Sequence, residues 1–145
     1  MPPYKEICSE SRELIHTKNG FHEIPGYVRI GLSKQQRNFL NLASRIAETS
    51  SVDKRHGAVV VKAGRVLAVG INKWRNQALV NPDSYAPHLT VHAEVDALSR
   101  LSDAKGATLY ISRLDKFGRE QYSKPCPRCE KAIIESGVKA VIYTT

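Results

Sequence analysis

From Gly57 onward, short β-branched runs alternate with apolar stripes of helical spacing, and this alternation leaves the chain few folds. Gly57 to Val61 and Val66 to Ile71 are strand-like, and Ala63-Gly64 between them predicts a tight hairpin. Val91, Val95, Leu98 and Leu101 mark one helical face, so a helix is predicted over 92–101. Ala107 to Ile111 reads as a strand. Residues 113–124 are polar, with a turn at Asp115-Lys116-Phe117-Gly118. Pro127 opens a second helix that Gly137 closes, and Lys139 to Tyr143 is a last strand. Ahead of this block, Ser33 is a good N-cap for a helix over 34–49, whose apolar face is Phe39, Leu40, Ala43, Ile46 and Ala47. Strands separated by helices pair in parallel with the helices on the sheet faces, while the hairpin adds an antiparallel pair. The expected architecture is therefore α/β: a three-layer helix–sheet–helix sandwich with a mixed central sheet, over a single domain 1–145. Residues 1–32 form an N-terminal extension of unclear role, with turns and an extended piece at 27–30. Residues 73–90, with Pro82 and Pro87, form a long loop of the kind that is functional or mobile.

Composition excludes several classes. A chain of 145 residues, 41% hydrophobic and 25% charged, suits one ordinary globular domain. No apolar run approaches the roughly 18–20 residues of a membrane span, and the N-terminus lacks the apolar core of a secretion signal. A cytoplasmic location without membrane contact is expected. Three cysteines, an odd number, argue against a disulfide framework. The net charge of +8 favours phosphate-bearing ligands, although it is spread along the chain rather than gathered in a tail.

Two short pieces hold the chemistry: His92-Ala93-Glu94 and Pro125-Cys126-Pro127-Arg128-Cys129. Each opens a predicted helix, where the partial positive charge of the first turn lowers thiolate pKa values and favours metal binding. His92, Cys126 and Cys129 supply three ligands. A structural zinc site closes with four protein ligands, whereas a catalytic one leaves a position for water, so the count argues for hydrolysis. Glu94, two residues past His92, can move the water's proton to a leaving group. A redox reading of the two cysteines leaves His92 and Glu94 unexplained.

His-x-Glu followed by Pro-Cys-x-x-Cys resembles the cytidine deaminase superfamily of zinc-dependent nucleobase deaminases, on the deoxycytidylate deaminase and tRNA-deaminase side. The resemblance runs from Gly57 to Tyr143 and includes Gly70-Ile71-Asn72 and Gly106 to Ile111. It implies Zn²⁺ as cofactor and Glu94 as the proton shuttle. It further implies that the Ala93 N–H meets the base carbonyl, that Asn72 contacts sugar or base, and that the protein is a homo-oligomer. The chain departs from the pattern in three places. Asn72 is followed by Lys73-Trp74 rather than a Gly-x-Pro turn, and residues 113–124 are longer than the usual link. With Tyr143 near the end of the sequence, the usual last strand of the sheet is expected to be missing.

The expected activity is hydrolysis of a cytosine nucleotide, dCMP to dUMP plus ammonia, with Lys73, Arg75 or Lys124 meeting the phosphate. The alternative substrate is a base in nucleic acid, a tRNA adenosine or a cytosine in single-stranded DNA. Trp74, Phe117 and Tyr122 lie among basic residues as that alternative requires, but the diffuse charge favours the free nucleotide.

Overall fold

A computed structural model of the chain describes residues 14–16, 21–22, 30–74 and 90–144. In chain order the elements are β1 (Leu14–His16), β2 (Phe21–His22), β3 (Ile30–Gly31), α1 (Lys34–Ala47), β4 (Arg55–Lys62) and β5 (Arg65–Ile71). They continue with β6 (Lys73–Trp74), β7 (Thr90–Val91), α2 (Ala93–Ser99), β8 (Thr108–Leu114), β9 (Glu120–Gln121), α3 (Pro127–Ser136) and β10 (Ala140–Tyr143). The main sheet runs β1-β10-β8-β4-β5 and is mixed: β1, β10 and β8 are parallel, while β4 is antiparallel to both β8 and β5. None of the described helices is long and apolar enough to cross a membrane.

The local signals explain most boundaries. Ser33 and Gln36 form a reciprocal capping box that starts α1. Ala63 and Gly64 both take positive φ, as a two-residue hairpin turn requires. Pro127 occupies the first turn of α3, and Gly137 ends it in the left-handed region at φ 83°. The extended piece near residue 30 is the short β2–β3 pair, while 27–29 and the loop 75–89 lie outside the described residues. The ends of that loop are held together by pairing of Lys73 with Val91 and of Trp74 with Thr90.

Two expectations need correction. The edge beyond β10 is not missing: β1, from the segment that reads as irregular, pairs in parallel with it, Leu14 opposite Val141. A three-residue strand is too short to leave a periodic pattern in the sequence. The strand expected to end at Ile111 continues to Leu114 and folds back as a β8–β9 hairpin, with β9 pairing β8 beyond the last partner of β10. Ser112 and Arg113 look like loop residues, yet Ser112 is fully buried against α1, where its hydroxyl lies 2.7 Å from that of Ser44.

Alternation along the strands makes two cores. Val59, Val61, Tyr110 and Ile142 meet Leu40 and Ala43 of α1 on one face. Ala58, Val60, Leu109 and Ile111 meet Ala93 and Ala97 of α2 and Cys129 and Ile133 of α3 on the other. The three layers are thus those expected. Close approach of α2 depends on Gly70, where a Cβ would overlap the backbone of Ala93 and Ala97. Gly70→Ala is expected to cost about 1–3 kcal/mol, the range for overpacking a well-filled interior. It should also lower zinc content, since His92 is the N-cap residue of α2; urea denaturation and elemental analysis check both effects.

Candidate zinc centre and nucleotide pocket

The N-termini of α2 and α3 converge at the carboxyl end of β8 and of its parallel neighbour β10. His92 and Cys126 are the N-cap residues of their helices, both extended, and neither side chain caps its own helix. Their side chains are therefore available to each other. His92 Nδ1 lies 3.1 Å from Cys129 Sγ and 3.7 Å from Cys126 Sγ. All three donor atoms fall within 4.8 Å of one another. In a tetrahedral site with Zn–S about 2.3 Å and Zn–N about 2.0 Å, such atoms stand about 3.5–3.8 Å apart, so the cluster suits a zinc ion. No fourth His, Cys, Asp or Glu joins it among the described residues. His88 lies outside them.

The electrostatics also call for a cation. Burial pushes the Cys129 thiol well above its ordinary value, and the negative charges of Glu94 and Cys126 push it further the same way. A divalent ion among these groups reverses that preference and holds the sulfurs as thiolates.

Glu94, only 4% exposed, lines a cavity of about 400 Å³ together with His92 and Cys126. Ala93 is fully buried at the first position of α2, where a backbone N–H has no acceptor within the helix. Asn72 lines the same cavity, but its carboxamide is largely engaged. Its oxygen accepts from the Ser50 hydroxyl and the His56 N–H, both at 2.8 Å, and its amide donates to the Lys54 carbonyl. Asn72 therefore clasps the segment 50–56 to the end of β5 and has one amide hydrogen left for a ligand.

Two residues at the site, His56 and Lys54, have no sequence signal. His56 lines the cavity; its Nδ1 faces the Lys54 carbonyl at 3.1 Å and so bears the proton. Burial lowers its pKa, opposed in part by the Glu94 charge, so the ring is neutral at neutral pH. Val52, Asp53, Lys54, Lys124 and Trp74 complete the lining. Lys73 is elsewhere: its ammonium pairs with Asp96 at 2.8 Å, and Arg75 lies outside the described residues. Only Lys124 of the three basic residues expected at the phosphate is therefore placed in the wall. Ser123 and Thr144 lock the segment leading into Cys126. The Thr144 N–H donates to Ser123 Oγ at 2.9 Å, and the Ser123 N–H donates to the Thr144 carbonyl at 3.0 Å.

Asp96 docks α2 on the sheet. Burial alone would raise its pKa, but Lys73, the Ile71 N–H at 3.1 Å and Arg100 together hold the carboxyl below its ordinary value. A carboxyl depressed in the folded state stabilises the fold above its unfolded pKa of about 3.9 and loses that contribution as pH falls through the lower folded value. Asp96→Asn is expected to cost about 1–3 kcal/mol near neutral pH, as for loss of charge-assisted hydrogen bonds. Denaturation curves at neutral pH and in acid should show the gap from wild type closing in acid.

The layered sheet and the donor set at two helix N-termini define a zinc-binding domain of the deaminase class. The model of the cytidine and deoxycytidylate deaminase zinc-binding region matches residues 33–145, and the chain belongs to that family. It is 33% identical over 116 residues to the riboflavin biosynthesis protein RibD of Aquifex aeolicus, covering 75% of this chain but 27% of that protein. It is 28% identical over 101 residues to human deoxycytidylate deaminase, covering 60% of this chain and 51% of that protein. Among solved structures, the apo dCMP deaminase of cyanophage S-TIM5 superposes with a TM-score of 0.57 at 26% identity, over 76% of this chain and 83% of the phage chain.

Proposed function

We propose that the protein hydrolyses the amino group of a cytosine nucleotide, converting dCMP to dUMP and ammonia. One observation chiefly supports this reading. The cavity that holds Glu94 beside His92 and Cys126 also has Lys54 and Lys124 in its wall, and neither lysine has a carboxylate partner among the described residues. Such a wall suits a substrate with a base at one end and a phosphate at the other. Likeness to dCMP deaminases agrees with it.

In this reading His92, Cys126 and Cys129 hold zinc. When bound, zinc supplies a Lewis acid that makes water nucleophilic near neutral pH. Glu94 accepts one proton of the attacking water and delivers it to ring N3; it then takes the remaining hydroxyl proton at C4 and gives it to the amine, which leaves as ammonia as the C4–N bond breaks. The Ala93 N–H meets the base carbonyl, the remaining Asn72 amide hydrogen meets the sugar, and Lys54 with Lys124 meets the phosphate. A homo-oligomer belongs to the same reading: Val95 and Ile134, on α2 and α3, are 37% and 44% exposed. Light scattering of the full chain checks it.

The test of substrate is ammonia release from dCMP, CMP, deoxycytidine and dCTP by the zinc-loaded protein. dCMP is expected to have the highest kcat/KM. Deoxycytidine turned over as efficiently would remove the phosphate contact, and inertness toward every cytosine substrate would overturn the assignment.

A further inference from the structure

The end of the sheet opposite the zinc centre carries a second cavity, of about 340 Å³. It opens where the start of α1 meets the β4–β5 turn and the first residues of β8. β8 runs from Thr108 in this cavity to Arg113, which lies opposite His56 of the zinc cavity. A strand rises about 3.3 Å per residue, so the two sites lie about 15 Å apart or more. A small ligand in one cannot touch the other.

Its wall holds donors that the fold does not use. Tyr110 is 4% exposed and packs on Phe39 with ring centroids 5.5 Å apart, yet its hydroxyl makes no hydrogen bond among the described residues. A buried hydroxyl without a partner is costly, and the cavity that Tyr110 lines is where an acceptor can reach it. Burial pushes the phenol pKa up to about 12, so the group keeps its proton at neutral pH and donates. Lys62 and Lys139 line the same space, and neither has a carboxylate partner among the described residues. At the start of α1, the capping box uses the Ser33 and Gln36 N–H groups, which leaves those of Lys34 and Gln35 without an acceptor in the helix. The first turn of α1 contains no acidic residue to offset its partial positive charge. None of the described lining residues is an aspartate or glutamate.

Two ammonium groups, a protonated phenol and open helix N–H groups around one space call for an anion of about two charges. A phosphate monoester carries about −1.5 to −2 near neutral pH. Phe39 and Val61 give the cavity an apolar side as well, and its volume lies in the range of small-molecule sites. We propose that this cavity binds a small phosphate monoester, with the phosphate between Lys62, Lys139 and the start of α1, the Tyr110 hydroxyl donating to it, and the organic part against Phe39 and Val61. The proposal does not depend on the reading of the zinc cavity.

Other occupants fit less well. A carboxylate, free or on an acidic peptide, supplies one charge and leaves the second lysine unmatched. Inorganic phosphate or sulfate leaves the apolar side bare. A second copy of the chain, related by a two-fold axis through this face, would bring Lys62 and Lys139 against their own equivalents.

The test is titration of the zinc-loaded full chain with phenyl phosphate, read by calorimetry and by backbone amide shifts in proton–nitrogen spectra. Phenol, inorganic phosphate and sulfate are the controls. Phenyl phosphate is expected to shift the amides of Lys34, Gln35 and Gly106. It should bind at least about tenfold more tightly than inorganic phosphate, because it buries apolar area as well, and phenol should not bind. Tyr110→Phe is expected to weaken binding by about 10- to 100-fold, the range for a hydrogen bond to a charged group. The same variant should melt no lower than wild type, since the hydroxyl it removes has no partner in the unliganded fold. Lys62→Gln should weaken binding and reduce its dependence on salt. Lys124→Gln, in the wall of the zinc cavity, should leave the amide shifts at Lys34 and Gly106 in place. Loss of binding in Lys124→Gln with full affinity in Tyr110→Phe would assign the ligand to the zinc cavity and overturn the proposal. Equal affinity for sulfate or inorganic phosphate would mark an adventitious ion only, and would overturn it too. A Tyr110→Phe variant that binds as wild type does, or that melts lower, would take the hydroxyl out of the site and the proposal with it. These failures leave the reading of the zinc cavity untouched, because dCMP turnover is measured separately.

Discussion

Glu94→Gln is expected to lose at least about 10²–10⁴-fold in turnover, the usual contribution of a general acid–base group, while keeping both zinc and fold. Loss at the upper end is expected because the same carboxylate serves the attack of water and the departure of ammonia. Glutamine preserves the volume of a side chain that is 4% exposed, so packing beneath the cavity should not change. It also removes one of the negative charges that raise the Cys129 thiol, which favours thiolate and therefore metal retention. Ammonia release, zinc content and a thermal melt on the same preparation separate these effects. Turnover within about tenfold of wild type, with zinc in place, would take Glu94 out of the mechanism.

Removal of zinc by a chelator is expected to abolish activity and to lower stability together. The ion would join the first turns of α2 and α3 through His92, Cys126 and Cys129, whose side chains meet where the two helices start. A ligand that binds only the folded state adds about 4 kcal/mol when present at about a thousandfold its dissociation constant, so the melt should drop by several degrees or more. The sign of the pH dependence follows from the thiols. Without metal, burial and the neighbouring charges keep the Cys129 proton on; with metal it must leave. Zinc binding therefore releases protons, and the gap between holo and apo melting temperatures should widen as pH rises from about 6 to 8. Activity that survives complete metal removal would overturn the catalytic assignment. An unchanged melt would show that the ion does not staple the helices.

The donor set was legible because each member sits beside a local signal. His92 precedes a helical stripe and Cys126 precedes a helix-opening proline, so the two motifs could be placed at helix starts without knowing where the helices lie. The same is true of α1, whose capping box lies within four residues, and of the hairpin at Ala63 and Gly64. These signals act through a few neighbouring backbone bonds and side-chain contacts, and they survive whatever the rest of the chain does.

What the sequence by itself determined is therefore the order of the three helices and of strands β4, β5, β8 and β10, the layered architecture and the metal donor set of His92, Cys126 and Cys129. The tertiary structure alone decided which other residues meet them. His56 reaches the cavity only because the β4–β8 register sets it opposite Arg113, and a shift of one residue would turn it toward α1. Lys73 reads as a phosphate contact until Asp96, twenty-three residues away, takes its charge. Asn72 is held by Ser50, Lys54 and His56, which engage its oxygen and one amide hydrogen and leave the other for a ligand. Leu14–His16 becomes an edge strand because β10 leaves backbone groups to pair, a demand set more than a hundred residues further along the chain. In each case the partner is distant in sequence, and a side chain's hydrogen bonds and ion pairs depend on what the fold brings within about 3 Å of it.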